Sequence, residues 1–478
     1  MASDRASSFE LLKFDELSKS LGAILYSFTE SSCAGGFSSV SIDSRSICEG
    51  GMFVALAGEN CDGHSFVQKA YENGAAAALV EHDKLEKYNL LKTAKDFNKT
   101  LIVVDNTLEA LQNAARLYLE KYPSLIKIGI TGSSGKTTIK EILASIIGKE
   151  KNVVINPGNF NSETGLPLAV FNIRPGHEIG VFEMAMSHLG EMAVLSSILK
   201  PDIALISNVT SAHIGNIGSI EGIAKEKKQV FLNFNEKCTA LIPYDSPFRD
   251  FLAEGIKGKI VFYGKESFKE LGQVKDMGLE GTEIVWDGKP VRFPLFGSHN
   301  ISNALAAIAI AKEIPVSSNA IRLGLESVKP LFGRGEITNG KATVIWDCYN
   351  SNPQSMERAL EFCDNLAWQG RRVYVIGEML ELGDFSKKAH SDMGNLLAAS
   401  KADSVYLFGN ETSFTAESIK ACFSDNPAGQ TPSVFHTSDI GQLSNALRNE
   451  IAKGDLILIK GSRACCLEKL SSVLEGAA

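Results

Sequence analysis

The residues with the clearest chemical capacity form a glycine-rich loop at 131–138, which reads Thr-Gly-Ser-Ser-Gly-Lys-Thr-Thr. The loop follows an apolar stretch typical of a buried strand (126–130) and precedes an amphipathic helical stretch (137–147). Backbone amides in such a loop can surround phosphate oxygens, and the helix N-terminus adds positive partial charge. We therefore predict an ATP or GTP site at Gly132, Ser133, Ser134, Gly135, Lys136, Thr137 and Thr138.

Two side chains of the loop have specific predicted tasks. Lys136 can reach the β and γ phosphates, and the Thr137 hydroxyl can bind Mg²⁺. The general phosphate-loop pattern has glycine where this chain has Ile130, and Gly132 supplies an inner glycine instead. The alternative is a glycine-rich turn that only caps a helix, but a Gly-Lys-Thr-Thr run between strand and helix favours phosphate binding.

The elements that must position this loop belong to a three-domain α/β chain. We predict domains at 1–122, 123–332 and 333–478, because the length suggests about three units, Pro123 ends a helical segment and the third block begins near Gly333. In the second and third, apolar strand segments alternate with helical segments, which predicts parallel sheets with helices on both faces. The central domain resembles a phosphate-loop ATPase, the third is Rossmann-like, and the first is a smaller α/β domain.

Composition narrows the partners and the compartment. The formal charge is −8 and no long basic run occurs, so nucleic acid is not predicted as a partner. The first ten residues are polar, and no apolar run approaches the roughly 20 residues that cross a bilayer, so we predict no membrane insertion. The nine cysteines lack paired metal spacing, which favours free thiols in a reducing, cytoplasmic compartment.

Further motifs follow the loop in a fixed order along the chain. The first domain carries Asp-Ser-Arg at 43–45, and the second carries Pro-Gly-Asn-Phe-Asn at 157–161. The third carries Tyr-Asn-Ser-Asn-Pro at 349–353 and Glu-Met-Leu-Glu-Leu-Gly at 378–383. Single polar residues of interest between and beside these motifs are Glu183, His213, Lys227, Asn303, Arg334, Asp347 and His390. Alone, each would more often be an ordinary structural or surface residue; their joint order after a phosphate loop favours an active site.

Loop and motifs together resemble the Mur ligases, which use ATP to join an amine to a carboxylate of the peptidoglycan precursor. The resemblance implies that Lys136, Glu183, His213 and Lys227 are catalytic. It also implies two Mg²⁺ ions, held by Thr137, Glu183, His213 and a carbamylated Lys227. Lys227 fits better than Lys225 because its spacing to Phe231 matches the family.

The same resemblance assigns the remaining binding residues. Asn303, Arg334 and Asp347 would contact ATP, with Arg334 reaching from the third domain to the phosphates. The first domain would hold the UDP end of the muramyl precursor. The substrate-binding residues implied by the match are Ser44, Arg45, Asn159 and Asn161. Closure of the third domain would expel water and protect an acyl phosphate.

Several functions are compatible with these motifs. The motifs at 349–353 and 378–383 resemble the branch that adds D-alanyl-D-alanine to UDP-N-acetylmuramoyl-tripeptide, acting as a monomer. A sister ligase adding the third amino acid is the nearest alternative, but the Asp-Asn-Pro-Ala at 425–428 lacks the arginine of the diaminopimelate-adding motif. A regulatory ATPase, a noncatalytic scaffold and a folate polyglutamylation enzyme fit fewer of the motifs.

Overall fold

The computed structural model of the protein describes residues 9–29, 35–58, 61–425 and 432–474. Five sheets are present in this part of the chain, and the three largest fall one in each predicted domain. The predicted α/β fold class is confirmed. The described residues contain no helix that combines the length and apolar character needed to cross a membrane.

The first domain is built on a five-stranded sheet. Its elements are β1 (Leu12–Lys13), α1 (Phe14–Leu21), β2 (Ile24–Ser27), β3 (Gly36–Phe37), β4 (Val40–Ser41), β5 (Met52–Val54), α2 (Val67–Glu72), β6 (Ala77–Glu81), α3 (Leu90–Asp96), β7 (Thr100–Val104) and α4 (Thr107–Glu120). The strand order is β2-β7-β6-β5-β4, with β2 antiparallel and the others parallel, while β1 pairs with β3. Every residue of β7 is buried, as an apolar run inside a parallel sheet should be.

Helix α4 packs the first domain against the second. The Asn106 side chain accepts hydrogen bonds from the first-turn amides of Leu108 and Glu109, which fixes the start of the helix. Further along, the Tyr118 hydroxyl donates to the Ile173 carbonyl at 2.6 Å, and the Tyr118 ring lies 5.3 Å from that of Phe171. The two domains therefore share one continuous apolar core across this helix.

The second domain carries the phosphate loop at the end of its central strand. Its elements are β8 (Ile126–Thr131), α5 (Lys136–Ile147), β9 (Val153–Ile155), α6 (Gly165–Val170), β10 (Ile179–Glu183), α7 (Glu191–Leu199), β11 (Ile203–Ile206), α8 (Ile214–Ile217), α9 (Ile220–Lys228), β12 (Thr239–Pro243), α10 (Arg249–Ala253), β13 (Lys259–Tyr263), β14 (Leu271–Asp276), β15 (Thr282–Trp286), β16 (Lys289–Phe293), α11 (Ser298–Ala311) and α12 (Ser318–Ser327). The main sheet has the order β13-β12-β11-β8-β10-β9 and is parallel throughout. The predicted buried helix over 304–311 is part of α11.

A small antiparallel sheet, β14-β15-β16, was not predicted from the sequence. Buried and more exposed residues alternate in β15 and β16, with Ile284 and Trp286 buried in β15, whereas no residue of β14 is buried. Continuous apolar runs identify strands that are buried on both faces, and strands with such alternation lack these runs.

The third domain forms a second doubly wound unit. Its elements are β17 (Glu336–Asn339), β18 (Thr343–Asp347), α13 (Pro353–Asn365), β19 (Arg372–Gly377), α14 (Ser386–Ala399), β20 (Ser404–Phe408), α15 (Thr412–Asp425), β21 (Ser433–Thr437), α16 (Ile440–Glu450), β22 (Leu456–Lys460) and α17 (Ser471–Leu474). The order is β17-β18-β22-β19-β20-β21, with only the edge strand β17 antiparallel among these. The carboxyl ends of β18, β22 and β19 lie side by side, where open α/β sheets bind ligands. Residues 426–428 of the Asp-Asn-Pro-Ala run lie outside the described residues.

Candidate nucleotide and metal site

A cleft of about 670 Å³ lies between the second and third domains. This volume falls in the range of small-molecule sites. One wall is the phosphate loop with the start of α5, and the facing wall includes the end of β18 and the start of α13. Residues predicted from the sequence that line the cleft are Ser133, Ser134, Gly135, Lys136, Thr137, Thr138, Asn161, Glu183, His213, Asn303, Arg334 and Asp347.

The phosphate loop is held open by the segment that follows β11. Ser207 Oγ donates to the Ser134 carbonyl at 2.6 Å, and the Ser134 amide donates to Asn208 Oδ1 at 2.9 Å. A Cβ atom at Gly132 would lie 1.9 Å from Ser207 Oγ, so only glycine fits there. Among the described side chains none caps α5, and its first-turn amides remain available to an anion. Lys136 Nζ donates to the Gly132 carbonyl at 2.8 Å, beside this amide cluster.

A buried carboxylate joins the loop to the neighbouring strand. Glu183 Oε2 accepts a hydrogen bond from Thr137 Oγ1 at 2.6 Å, and its Oε1 accepts from Asn161 Nδ2 at 2.7 Å. Asn156 fixes the backbone of Glu183, donating to its carbonyl and accepting from its amide. Asn156 escaped the sequence analysis because its role depends on the pairing of β9 with β10.

These oxygen donors fit Mg²⁺ better than a softer metal. Thr137 and Glu183 already converge on one point, and Mg²⁺ commonly binds one or two protein oxygens together with phosphate and water. The described residues contain no group of three His, Cys, Asp or Glu side chains that could hold a metal ion. A site made by Thr137, Glu183 and a nucleotide phosphate therefore agrees with the protein ligands present.

Lys227 is a buried amine without a hydrogen-bond partner among the described residues. It is 1% exposed, whereas Lys225 on the same helix is exposed. Burial lowers the pKa of Lys227 well below its ordinary value, and the Lys136 ammonium lowers that pKa further. The charged ammonium form of Lys227 is therefore unfavourable. An anionic group on the Lys227 side chain would instead be attracted to the Lys136 ammonium.

Arg334 approaches the phosphate loop from the third domain. Its positive charge lowers the pKa of Lys136, an effect smaller than that of burial. The guanidinium lies 4.0 Å from the centroid of the Tyr349 ring, which fixes its orientation. The two glycines that flank Arg334, Gly333 and Gly335, have φ of +70° and +80°. The position of Arg334 in the cleft therefore agrees with its predicted contact with the ATP phosphates.

Asp347 is paired with a lysine to which the sequence analysis gave no role. Lys460 Nζ donates to Asp347 Oδ2 at 2.6 Å, and Lys460 is 1% exposed. The pairing follows from the parallel register of β18 and β22, which places these two residues opposite each other. Because sequence separates them by more than a hundred residues, only the fold reveals the pair.

Asn303 lies directly against the phosphate loop. Its Nδ2 donates to Asn300 Oδ1 at 3.1 Å, and a Cβ atom at Gly135 would lie 2.3 Å from Asn303 Oδ1. Gly135 also has φ of +82°, a conformation that side chains disfavour. Contact between Asn303 and the adenine stays a prediction.

Gly135→Ala is expected to weaken MgADP binding by about tenfold or more, because the new methyl group displaces Asn303 or the loop. The left-handed backbone adds about 1 kcal/mol of strain. Calorimetric titration would measure the affinity. Gly176→Ala is the matched control: Gly176 has φ of +96° and open space at its Cβ position, so it should lose stability alone. Equal affinity losses in both variants would contradict the role of Asn303.

His299, at the start of α11, is expected to stay neutral well below the pH at which histidines usually titrate. Burial lowers its pKa to about 4 from 6.5, with Arg358 and Lys460 adding to the effect. As pH falls from 6.5 towards 4, the unfolded chain takes up this proton first, so stability declines across that window. An NMR titration, assigned with His299→Gln, should give a midpoint near 4; a midpoint near 6.5 would contradict it.

Three predicted substrate residues lie outside the cleft. Ser44 is buried in the first domain, where its carbonyl accepts from Asn73 Nδ2 at 2.8 Å. Arg45 is 85% exposed and pairs with Asp43 at 2.8 Å, and Asn159 is exposed. Asn161 alone of the four reaches the cleft, through Glu183. Their contact with a substrate stays a prediction.

Comparison with known families gives three matches along the chain. Residues 130–311 match the Mur ligase middle domain, and residues 333–463 match the Mur ligase, glutamate ligase domain. Residues 37–119 match the Mur ligase family, catalytic domain. The matches occur in the order predicted from the motifs.

Individual proteins are similar over almost the whole length. UDP-N-acetylmuramoyl-tripeptide--D-alanyl-D-alanine ligase of Treponema pallidum is 38% identical, covering 97% of this chain and 99% of its own. The crystal structure of MurF from Acinetobacter baumannii has a TM-score of 0.82 at 28% identity, covering 96% of this chain and 98% of its own. MurF ligase from Thermotoga maritima in complex with ADP has a TM-score of 0.74 at 28% identity, covering 92% and 97%.

Proposed function

Because this chain belongs to the Mur ligase family, we propose that it adds D-alanyl-D-alanine to UDP-N-acetylmuramoyl-tripeptide, converting ATP to ADP and phosphate. The observation that carries the proposal is the convergence of Lys136, the Thr137–Glu183 pair and Arg334 on one interdomain cleft. The choice of dipeptide rests on the similar proteins, whose names specify D-alanyl-D-alanine.

The reaction needs activation because a carboxylate is a poor electrophile. An oxygen of the tripeptide carboxylate would attack the γ phosphorus of ATP, the bond to the β-phosphate oxygen would break, and ADP would leave. The dipeptide amine would then attack the acyl phosphate carbonyl, and phosphate would leave as the amine loses a proton. Lys136 and Arg334 would balance the negative charge that both steps concentrate in the cleft.

Mg²⁺ binding is proposed for two sets of side chains. Thr137 and Glu183 would hold one ion, and His213 with carbamylated Lys227 would hold a second. When bound, the ions would neutralise phosphate oxygens and orient the substrate carboxylate. Carbamylation is supported by the environment of Lys227, since a depressed pKa leaves the amine neutral and nucleophilic towards CO₂. The resulting carbamate would carry its negative charge beside Lys136.

Further side chains are proposed to bind the muramyl precursor and ATP. The first domain would hold the UDP-muramyl end through Ser44 and Arg45, and Asn159 and Asn161 would contact the precursor near the cleft. Asn303 would contact the adenine, and Asp347, steadied by Lys460, would contact ATP. We also propose a cytoplasmic monomer, because the cysteines lack paired metal spacing and one chain contains the whole cleft.

Phosphate release from ATP tests the function directly. It should require UDP-N-acetylmuramoyl-tripeptide and D-alanyl-D-alanine together, and the product should gain the mass of the dipeptide less water. Release that responds to a single amino acid and the shorter precursor would identify the sister ligase instead. Release indifferent to every muramyl substrate would indicate a regulatory ATPase.

A further inference from the structure

His213 meets a carboxylate from the other domain. Its Nδ1 lies 2.5 Å from Glu381 Oε2, and the His213 side chain is 16% exposed. The hydrogen bond occupies one ring nitrogen, and Nε2 has no hydrogen-bond partner among the described residues. His213 also lines the nucleotide cleft, so the unpaired nitrogen belongs to a residue that borders the site.

Both partners of this contact have unusual backbones. His213 has φ of +65° and Glu381 has φ of +62°, a region that non-glycine residues seldom occupy. Such conformations carry backbone strain and persist when the surrounding structure imposes them. Two adjacent examples, one from each domain, show that the pairing is held by its surroundings.

The backbones of the two domains touch beside this pair. The Gly215 amide donates to the Glu381 carbonyl at 3.2 Å. A Cβ atom at Gly215 would lie 2.5 Å from the Gly383 amide nitrogen, and one at Gly383 would lie 2.9 Å from Gly215 Cα. The contact therefore fixes the distance between the segments that carry His213 and Glu381.

The segment 378–383 is in turn anchored within the third domain. The Met379 amide donates to His390 Nε2 at 3.1 Å, and the Leu380 amide donates to Ser462 Oγ at 3.0 Å. His390 is fully buried. Glu381 thus extends from a rigid loop, and its carboxylate reaches His213 only while the third domain is docked on the second.

We infer that Glu381 is a positioning residue, which fixes the tautomer and ring orientation of His213 so that Nε2 faces the metal site only when the domains are docked. A carboxylate that accepts from one imidazole nitrogen places the lone pair on the other, which is the nitrogen that binds a metal. The inference rests on the proposed function, because it assigns His213 to that Mg²⁺ site. Under this inference, Mg²⁺ binding at His213 depends on Glu381, a residue of the third domain.

Two readouts test the inference with full-length protein. In metal-free enzyme labelled with ¹⁵N-histidine, Glu381→Ala should shift His213 from the tautomer protonated at Nδ1 towards a mixture, with signals assigned by His213→Gln. In kinetics, the Mg²⁺ concentration for half-maximal activity should rise by about 10- to 100-fold. The KM for D-alanyl-D-alanine should change less than about twofold, because the inference gives Glu381 a role towards His213 and none towards the dipeptide.

Matched variants separate positioning from simple docking. Glu381→Gln keeps an acceptor oxygen, so it should retain the tautomer and recover most of the Mg²⁺ response. Asp384→Asn removes an exposed carboxylate from the residue that directly follows this segment and should behave as wild type. Unchanged tautomer and unchanged Mg²⁺ response in Glu381→Ala would overturn the inference. Failure of the wild type to ligate would instead overturn the proposed function, and the metal-free tautomer measurement would still stand.

Discussion

Lys136→Ala is expected to lower kcat/KM for ligation by about 10³-fold, the largest effect predicted for any single side chain. The ammonium lies at the start of α5, where it contacts the phosphate loop through the Gly132 carbonyl. Its charge would stabilise the transferring phosphoryl group, and no water can replace a fixed charge inside a closed cleft. Steady-state assays of phosphate release with both substrates would measure the loss.

The structure also predicts what this substitution leaves intact. In the structure Lys136 donates one hydrogen bond to backbone and forms no ion pair within 4 Å of a described carboxylate, so folding should survive its removal. Circular dichroism and thermal unfolding should match the wild type. Lys151→Ala, which removes a half-buried lysine paired with Glu178 at 2.9 Å, serves as the control and should retain full activity. Activity within tenfold of wild type in Lys136→Ala would contradict the assignment.

Lys227→Met is expected to lower kcat by at least about 100-fold, because it removes the only atom that CO₂ could modify at this position. The methionine is similar in length and apolar, so the buried position should tolerate it. Wild-type enzyme in buffer depleted of CO₂ should lose activity and recover it when bicarbonate is added. With ¹³C-bicarbonate, a carbamate signal should appear in the wild-type NMR spectrum and be absent from the variant.

Lys225→Met provides the matched comparison for Lys227. The two lysines lie two residues apart on α9, but Lys225 is exposed and Lys227 is buried. Lys225→Met should keep its activity, its bicarbonate response and the carbamate signal. If both variants were fully active and the wild type ignored CO₂, the second metal site would need another ligand.

Much of the site was predictable from sequence because it depends on short, local patterns. The phosphate loop places Gly132, Gly135, Lys136 and Thr137 within a few residues, and strand and helix propensities on either side fix its orientation. Glu183 was predictable from the sequence for a similar reason, since it ends an apolar run that forms β10. Its pairing with Thr137 follows once β8 and β10 are neighbours.

Long-range partners were not predictable from the same sequence. Lys460 pairs with Asp347 because β18 and β22 are adjacent and in register, and His213 meets Glu381 because two domains dock. Neither contact produces a periodic pattern of residue types in the sequence. The small β14-β15-β16 sheet was missed because its alternating strands differ from the continuous apolar runs of a parallel sheet.

The packing of α4 limits how this protein can be cut and recombined. The helix begins in the first domain, yet Tyr118 is completely buried against Phe171 and Ile173 of the second. A chain divided after residue 122 would leave this apolar surface uncovered on both fragments, which favours aggregation. A chimaera that exchanges the first domain between relatives would therefore have to keep α4 with the second, or exchange both sides of that contact together.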